Sequence, residues 1–129
     1  MADQNDVRRI ALSLPDTTED AGHFAFSVRN GAKQKGFAWV WMERPESKKP
    51  RVPRPDVLAV RVASREEKEM LLAADQQKFF TEPHYNGFPA VLVRLAEIGV
   101  DELAELVTDA WRSQAPRKLV RAYDEHRSG

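Results

Sequence analysis

Apolar residues recur along this chain at two spacings, and the switches between them mark out its elements. Val7, Ile10, Ala11 and Leu14 stand at i, i+3, i+4 and i+7, one stripe of a helix over about Asp3 to Ser13. Asp3 or Asn5 can cap this helix, and Pro15 stops it. The segment Asp16 to Asp20 reads as an acidic loop. From His23 to Arg29 the spacing falls to two. Phe24, Phe26 and Val28 alternate with Ala25, Ser27 and Arg29, which predicts a strand. Asn30-Gly31 tolerates positive φ and turns the chain. The connection from Asn30 to Lys35 reads as longer than a two-residue hairpin, and Gly36 to Glu43 is the returning strand.

Arg44 to Asp56 holds Pro45, Pro50, Pro53 and Pro55, half of the chain's 8 prolines, each without an amide donor. It is expected to be an exposed, extended loop. Val57 to Val62 gives a third strand and Ala90 to Leu95 a fourth, with Phe79 to Pro89 irregular before it. Ser64 followed by Glu67 is a capping box that opens a helix ending near Asp75, with Met70, Leu71 and Ala74 as its buried stripe. Asp101 caps the helix Glu102 to about Ser113, which carries Leu103, Leu106, Val107, Ala110 and Trp111 on one face. Pro116 either kinks that helix or begins a short terminal one, where Leu119, Val120 and Tyr123 keep helical spacing.

The order α-β-β-β-α-β-α-α predicts an α+β fold: an antiparallel sheet of four or more strands with helices packed on one face. In the third and fourth strands the rows that hold Arg61 and Arg94 are the candidates for the open face. In the second strand Phe37, Trp39 and Trp41 alternate with Ala38, Val40 and Met42, and the pattern leaves open which row faces the core.

Length and charge narrow the class. At 129 residues the chain is expected to form one domain, and chains of this size bury roughly two-thirds of their unfolded surface. Twenty basic and 20 acidic residues leave a net charge of +0, whereas a dedicated nucleic-acid binder commonly has a pI above ~9. With no cysteine there is no disulfide and no thiolate chemistry. The N-terminal MADQNDVRRI lacks the order of a signal peptide, and no apolar run approaches the ~18 residues of a membrane span. A cytoplasmic protein, monomeric or weakly dimeric, is expected.

The segments ALSLPDTTED (11–20), GHFAFSV (22–28), GFAWVWM (36–42), LLAADQQKFF (71–80), PHYNGFPAVLVRL (83–95) and DELAELVTDAWRSQAPRKL (101–119) resemble the MmcQ/YjbR family in order and spacing. PHYNG feeding a VLVRL strand and the closing DAWRSQAPRKL are the most specific parts. The resemblance implies a small bacterial α+β protein with a fold similar to frataxin and to type III secretion chaperones. It also implies the DNA-binding label attached to a proposed double-wing motif, and no established reaction, cofactor or catalytic residue. The loop Arg44 to Asp56 departs from the family by its length and basic character.

Three features bear on function. Arg44, Lys48, Lys49, Arg51 and Arg54 stand against only Glu46 and Asp56 in the proline-rich loop, and Lys33 and Lys35 flank the preceding turn. Lys33, Lys35, Lys48, Lys49, Arg51 and Arg54 are therefore the expected nucleic-acid contacts, since cations displace condensed counterions from phosphates. The competing reading is a solvated run whose charges and prolines guard against edge aggregation. Trp39 and Trp41, with Arg61 and Arg94, are a candidate binding face. On an open sheet bases could stack there, whereas in a core the rings would only supply burial. His84 and Tyr85 precede the Asn86-Gly87 turn and join this candidate face. A histidine can serve as acid or base, yet no nucleophile or carboxylate stands at a recognisable spacing, so a loop-fixing role is the alternative. Glu19, Asp20 and His23 are too few oxygen donors to predict a metal site. A non-enzymatic binding module without cofactor is expected, with nucleic acid as partner or, alternatively, another protein on the open face or an edge strand.

Overall fold

The computed structural model describes residues 1–44 and 49–128. Its elements are α1 (Gln4–Leu12), β1 (Thr17–Glu19), β2 (Ala25–Asn30), β3 (Lys33–Glu43), β4 (Val52–Arg61), α2 (Arg65–Ala74), β5 (Phe79–Phe80), β6 (Ala90–Arg94), α3 (Val100–Gln114) and α4 (Arg117–Ser128). The expected α+β order is present. The strands form one antiparallel sheet in the order β1-β2-β3-β4-β6-β5.

Two short strands lie where loops were expected. β1 occupies the acidic segment and pairs Thr17 with Val28, while β5 pairs Phe80 with Leu92. Neither is long enough to show alternation, so their pairing is set by neighbours rather than local pattern. The turn between β2 and β3 is tighter than its sequence suggests. Asn30 pairs with Lys33 across Gly31-Ala32, with Gly31 at φ 64°, the placement a two-residue II′ hairpin asks of glycine.

The proline-rich loop is also shorter than expected. β4 begins at Val52, and Glu43, Met42 and Trp41 of β3 pair with Val52, Pro53 and Arg54. Beyond Val57 towards its start, β4 has β3 on one side and, among the described residues, no strand on the other, because β6 pairs only with Val57 to Arg61. Proline is tolerated on such a margin, where a missing donor need not break the ladder.

One side of the sheet carries α1 and α3, and α4 packs on α3. Val7, Ile10 and Ala11 of α1 and Leu103, Val107 and Trp111 of α3 close over Phe26, Val28, Ala38, Leu58, Val60, Val91 and Val93. Trp111 is fully buried, donates from Nε1 to the Pro15 carbonyl at 3.0 Å and meets Tyr123 of α4 with ring centres 5.0 Å apart. Asp3 caps α1 reciprocally with Asp6. Gly99, and not the expected Asp101, is the N-cap of α3, and Asp101 and Glu102 lie in its first turn where the macrodipole favours acids. The Pro116 carbonyl accepts from Val120, so the chain breaks between α3 and α4 rather than kinking.

α2 corrects its predicted stripe. Met70 is 71% exposed and Ala74 is exposed, whereas Leu71 and Leu72 pack on the core and Lys68 is buried. The inward face therefore runs through Lys68, Leu71 and Leu72, also an i, i+3, i+4 set. A lysine at its head disguises it.

Candidate binding face

The second strand does not keep one aromatic row. A β-bulge between β2 and β3 sets Phe26 opposite Ala38 but Ser27 opposite Gly36, leaving Phe37 as the extra residue. Phe37 joins Ala38 in the helix-covered core, fully buried. Trp39 and Trp41 then fall on the other face. They stand opposite Ala59 and Arg54, with Leu92 and Phe80 further along the same line of cross-strand partners.

On that face a second, thinner apolar layer forms from Val57, Ala59, Tyr85, Ala90 and Leu92, with Trp39, Trp41 and Phe80 half-buried against it. Its outer part is aromatic and edge-on. Trp41 meets Phe80 at 5.6 Å, Trp39 meets Phe88 at 6.3 Å, and Tyr85 meets Phe88 at 6.0 Å. Such T-shaped contacts align ring edges with ring faces and add to area burial. Trp39 Nε1 donates to Tyr85 Oη at 3.1 Å. Phe88 is 39% exposed.

Arginines frame this layer. Arg94 lies 4.0 Å above the Phe80 ring while its Nη1 donates to the Gln76 and Gln77 carbonyls at 3.2 and 3.0 Å. Arg61 lies 5.3 Å from the Phe88 ring centre. Arg54 stands beside Trp41 and pairs with Glu43. Each guanidinium thus rests near a ring or an acid with its charge at the sheet surface. Trp41 Nε1 and Arg61 Nε are enclosed and have no hydrogen-bond partner among the described residues.

The segment before β6 builds the rest of the face. Pro83–Tyr85 makes a single 3₁₀ turn, and Gly87 at φ 80° lets the chain return to β6, as the Asn86-Gly87 pair suggested. Lys68 holds this segment from beneath: Nζ donates to the Tyr85 carbonyl at 2.6 Å and to that of Phe88 at 2.8 Å. Burial pushes the Lys68 ammonium below its ordinary lysine value. His84 is exposed, its ring 5.8 Å from that of Tyr85, and with Trp39, Tyr85 and Phe88 it lines a cleft of about 150 Å³.

All six residues expected on a binding face, Trp39, Trp41, Arg61, His84, Tyr85 and Arg94, thus share one side of the sheet. Phe80, Phe88 and Lys68 were not anticipated. The two phenylalanines fall in the segment expected to be irregular, and the lysine in a helix whose stripe was read one position away. The basic positions are dispersed. Lys33 and Lys35 lie at the β2–β3 tip on the face of Asn30 and Val28, the helix side. Lys49, Arg51 and Arg54 lie at or beyond the opposite end of β3, which at ~3.4 Å per residue puts the two groups roughly 27 Å apart. Arg51 Nη1 donates to the Met42 carbonyl at 3.0 Å. Lys48 lies outside the described residues. Glu19 is held by Arg8 through two hydrogen bonds of 2.8 and 2.9 Å, which keeps its carboxyl below the ordinary range. Among the described residues no group of three histidines or carboxylates converges.

Together these features define a small α+β protein with helices on one face of its sheet and an arginine-framed aromatic layer on the other. The chain belongs to the YjbR family, whose model matches residues 12–113. It is 44% identical over 132 residues to uncharacterized proteins of Mycobacterium bovis and Mycobacterium tuberculosis, covering 95% of this chain and 96% of theirs. Its fold is similar to that of a Deinococcus radiodurans protein with a DUF419 domain, with a TM-score of 0.64 and 22% identity over 86% of this chain and 77% of that one. No helix among the described residues is long and apolar enough to cross a membrane.

Proposed function

We propose that this protein is a non-enzymatic binding module that holds single-stranded nucleic acid on the helix-free face of its sheet. The observation that carries this reading is the placement of Trp39 and Trp41 beside Arg54, Arg61 and Arg94 on the face that no α-helix covers. Stacking is indifferent to base identity and contributes ~1–3 kcal/mol per base, and cations beside the rings take up the intervening phosphates. The β3–β4 hairpin carries Lys49, Arg51 and Arg54 at one end of this face and extends the phosphate path. The dispersal of the basic residues favours a flexible strand draped over the sheet above a duplex held by one concentrated patch. The balance of charge predicts modest affinity, with a salt dependence that scales with the few phosphates the face can contact.

The test is a titration of the full chain with a labelled oligothymidylate at low salt, read by anisotropy and by tryptophan fluorescence. Binding with quenching that fades as salt rises supports the reading. No binding of single- or double-stranded nucleic acid at low salt overturns it. A protein partner on the same face is the second reading, favoured by the exposed Phe88 ring. It predicts salt-insensitive association with another chain. Strand addition is the weaker form of that reading, because β1 and β5 at the sheet margins offer only 3 and 2 residues and the open flank of β4 carries Pro53 and Pro55.

A further inference from the structure

Behind the aromatic layer, between α2 and the segment 81–89, lies a cavity of about 450 Å³ whose walls include Arg65, Lys68, Glu69, Leu72, Phe88 and Pro89. Lys68 is its unusual member. The residue is 7% exposed, yet among the described residues its charged end donates only to neutral groups, the carbonyls of Tyr85 and Phe88. An ammonium has three N–H donors, so one remains after these two bonds. Among the described residues no carboxylate lies within ion-pair distance of it. Buried charges in proteins are ordinarily matched by an opposite charge, because carbonyl dipoles only partly replace lost hydration.

The surroundings restrict what could supply that charge. Arg65, one turn earlier on α2, adds a second cation at the exposed rim, while Glu69 places one acid there. Leu72, Phe88 and Pro89 are apolar. Thr81 also lines the cavity, and its enclosed hydroxyl has no partner among the described residues. We propose that this cavity binds a small monocarboxylate with a short apolar body, its carboxylate between Lys68 and Arg65 and its hydrocarbon against Leu72, Phe88 and Pro89. Two cations against one acid match a single negative charge, and a phosphate dianion would exceed it. A neutral amide of the same shape would forgo the charge-assisted bonds that distinguish the site. Because Lys68 also grips the backbone of Tyr85 and Phe88, an occupied cavity bears directly on the segment that floors the aromatic face.

Carboxylate binding in this cavity is independent of nucleic-acid binding and is tested without it. The full chain, isotopically labelled, is titrated with isovalerate and benzoate, with their neutral amides and with inorganic phosphate, and followed by amide NMR shifts. Saturable shifts confined to residues 65–72 and 81–89 are expected with the carboxylates only. Arg65→Gln, an exposed change, should weaken them about tenfold, the value of losing one charge-assisted hydrogen bond. Lys68→Met should abolish them, and if that variant does not fold, Arg65→Gln decides. Absence of saturable shifts, amides or phosphate binding as tightly as the acids, or an Arg65→Gln variant that binds unchanged would each overturn the proposal.

Discussion

The two faces of one sheet are built from similar residues to opposite ends. On the helix side, Phe26, Phe37, Leu58 and Trp111 are wholly enclosed, and each strand row is met by a stripe of α1 or α3. On the other side, Trp39, Trp41 and Phe80 rest on Val57, Ala59 and Leu92 and are met, among the described residues, by a short turn and the side chains of arginines. Close packing makes the first face intolerant of volume change. The second leaves part of its aromatic area at the surface. A large aromatic residue in a strand therefore says nothing of its role until the element covering it is known.

The strongest way to break this comparison is Trp111→Ala. Removing a fully buried indole and its bond to Pro15 should cost about 3–5 kcal/mol by urea denaturation, enough to consume much of a small domain's stability. Trp39→Ala should behave differently: a smaller stability loss, with oligothymidylate binding weakened by about 1–3 kcal/mol in the same anisotropy assay. If Trp39→Ala instead destabilises the fold as severely as Trp111→Ala while binding survives, the second face is a core and not a contact surface.

A subtler contrast lies in pH. Lys68 is held below its ordinary value by burial, so in the alkaline range the unfolded chain binds more protons than the folded one. Its burial penalty is complete below the folded-state value and is relieved as pH rises through that value towards the ordinary one. Stability of the wild-type chain relative to Lys68→Met should therefore increase over that window, as measured by urea denaturation at a series of pH values. The smallest effect is expected at Glu19, which Arg8 holds below the ordinary carboxyl range. Its contribution is present above the ordinary value and lost as pH falls through the folded one. Glu19→Gln should remove that acid-side slope and little else, because the pair lies largely in water.

Much of this architecture was legible from periodicity. The α3 stripe through Trp111 and the assignment of the Arg61 and Arg94 rows to the helix-free face follow from spacings of 3.6 and 2, and Asp3 is one of the two caps the sequence offered for α1. The rest was not legible for physical reasons. β1 and β5 are too short to alternate, and Pro53 and Pro55 read as loop because sequence does not show that one flank of β4 lacks a neighbour. Lys68 reads as a solvated charge because a buried lysine stem looks like any other lysine. The gathering of Phe80, Tyr85 and Phe88 over Trp39 and Trp41 depends on a turn that joins positions some 40 residues apart, beyond any local window.

The bulge beside Phe37 has a consequence for how the chain tolerates change. It acts as a parity switch: one surplus residue lets two neighbours, Phe37 and Ala38, look the same way, so every side chain after it answers to a new count. Removing Phe37 would leave the Ser27–Gly36 and Phe26–Ala38 pairs in one regular ladder and the tryptophans on their own face, at the cost of a buried phenyl ring; straightening the bulge with every residue kept would instead hand the tryptophans to the helices. Lengthening the β3–β4 tip would leave that count untouched. Changes of length should therefore be tolerated at the hairpin tip, whereas at the bulge an added residue reverses the faces and a lost one empties the place of Phe37 in the core.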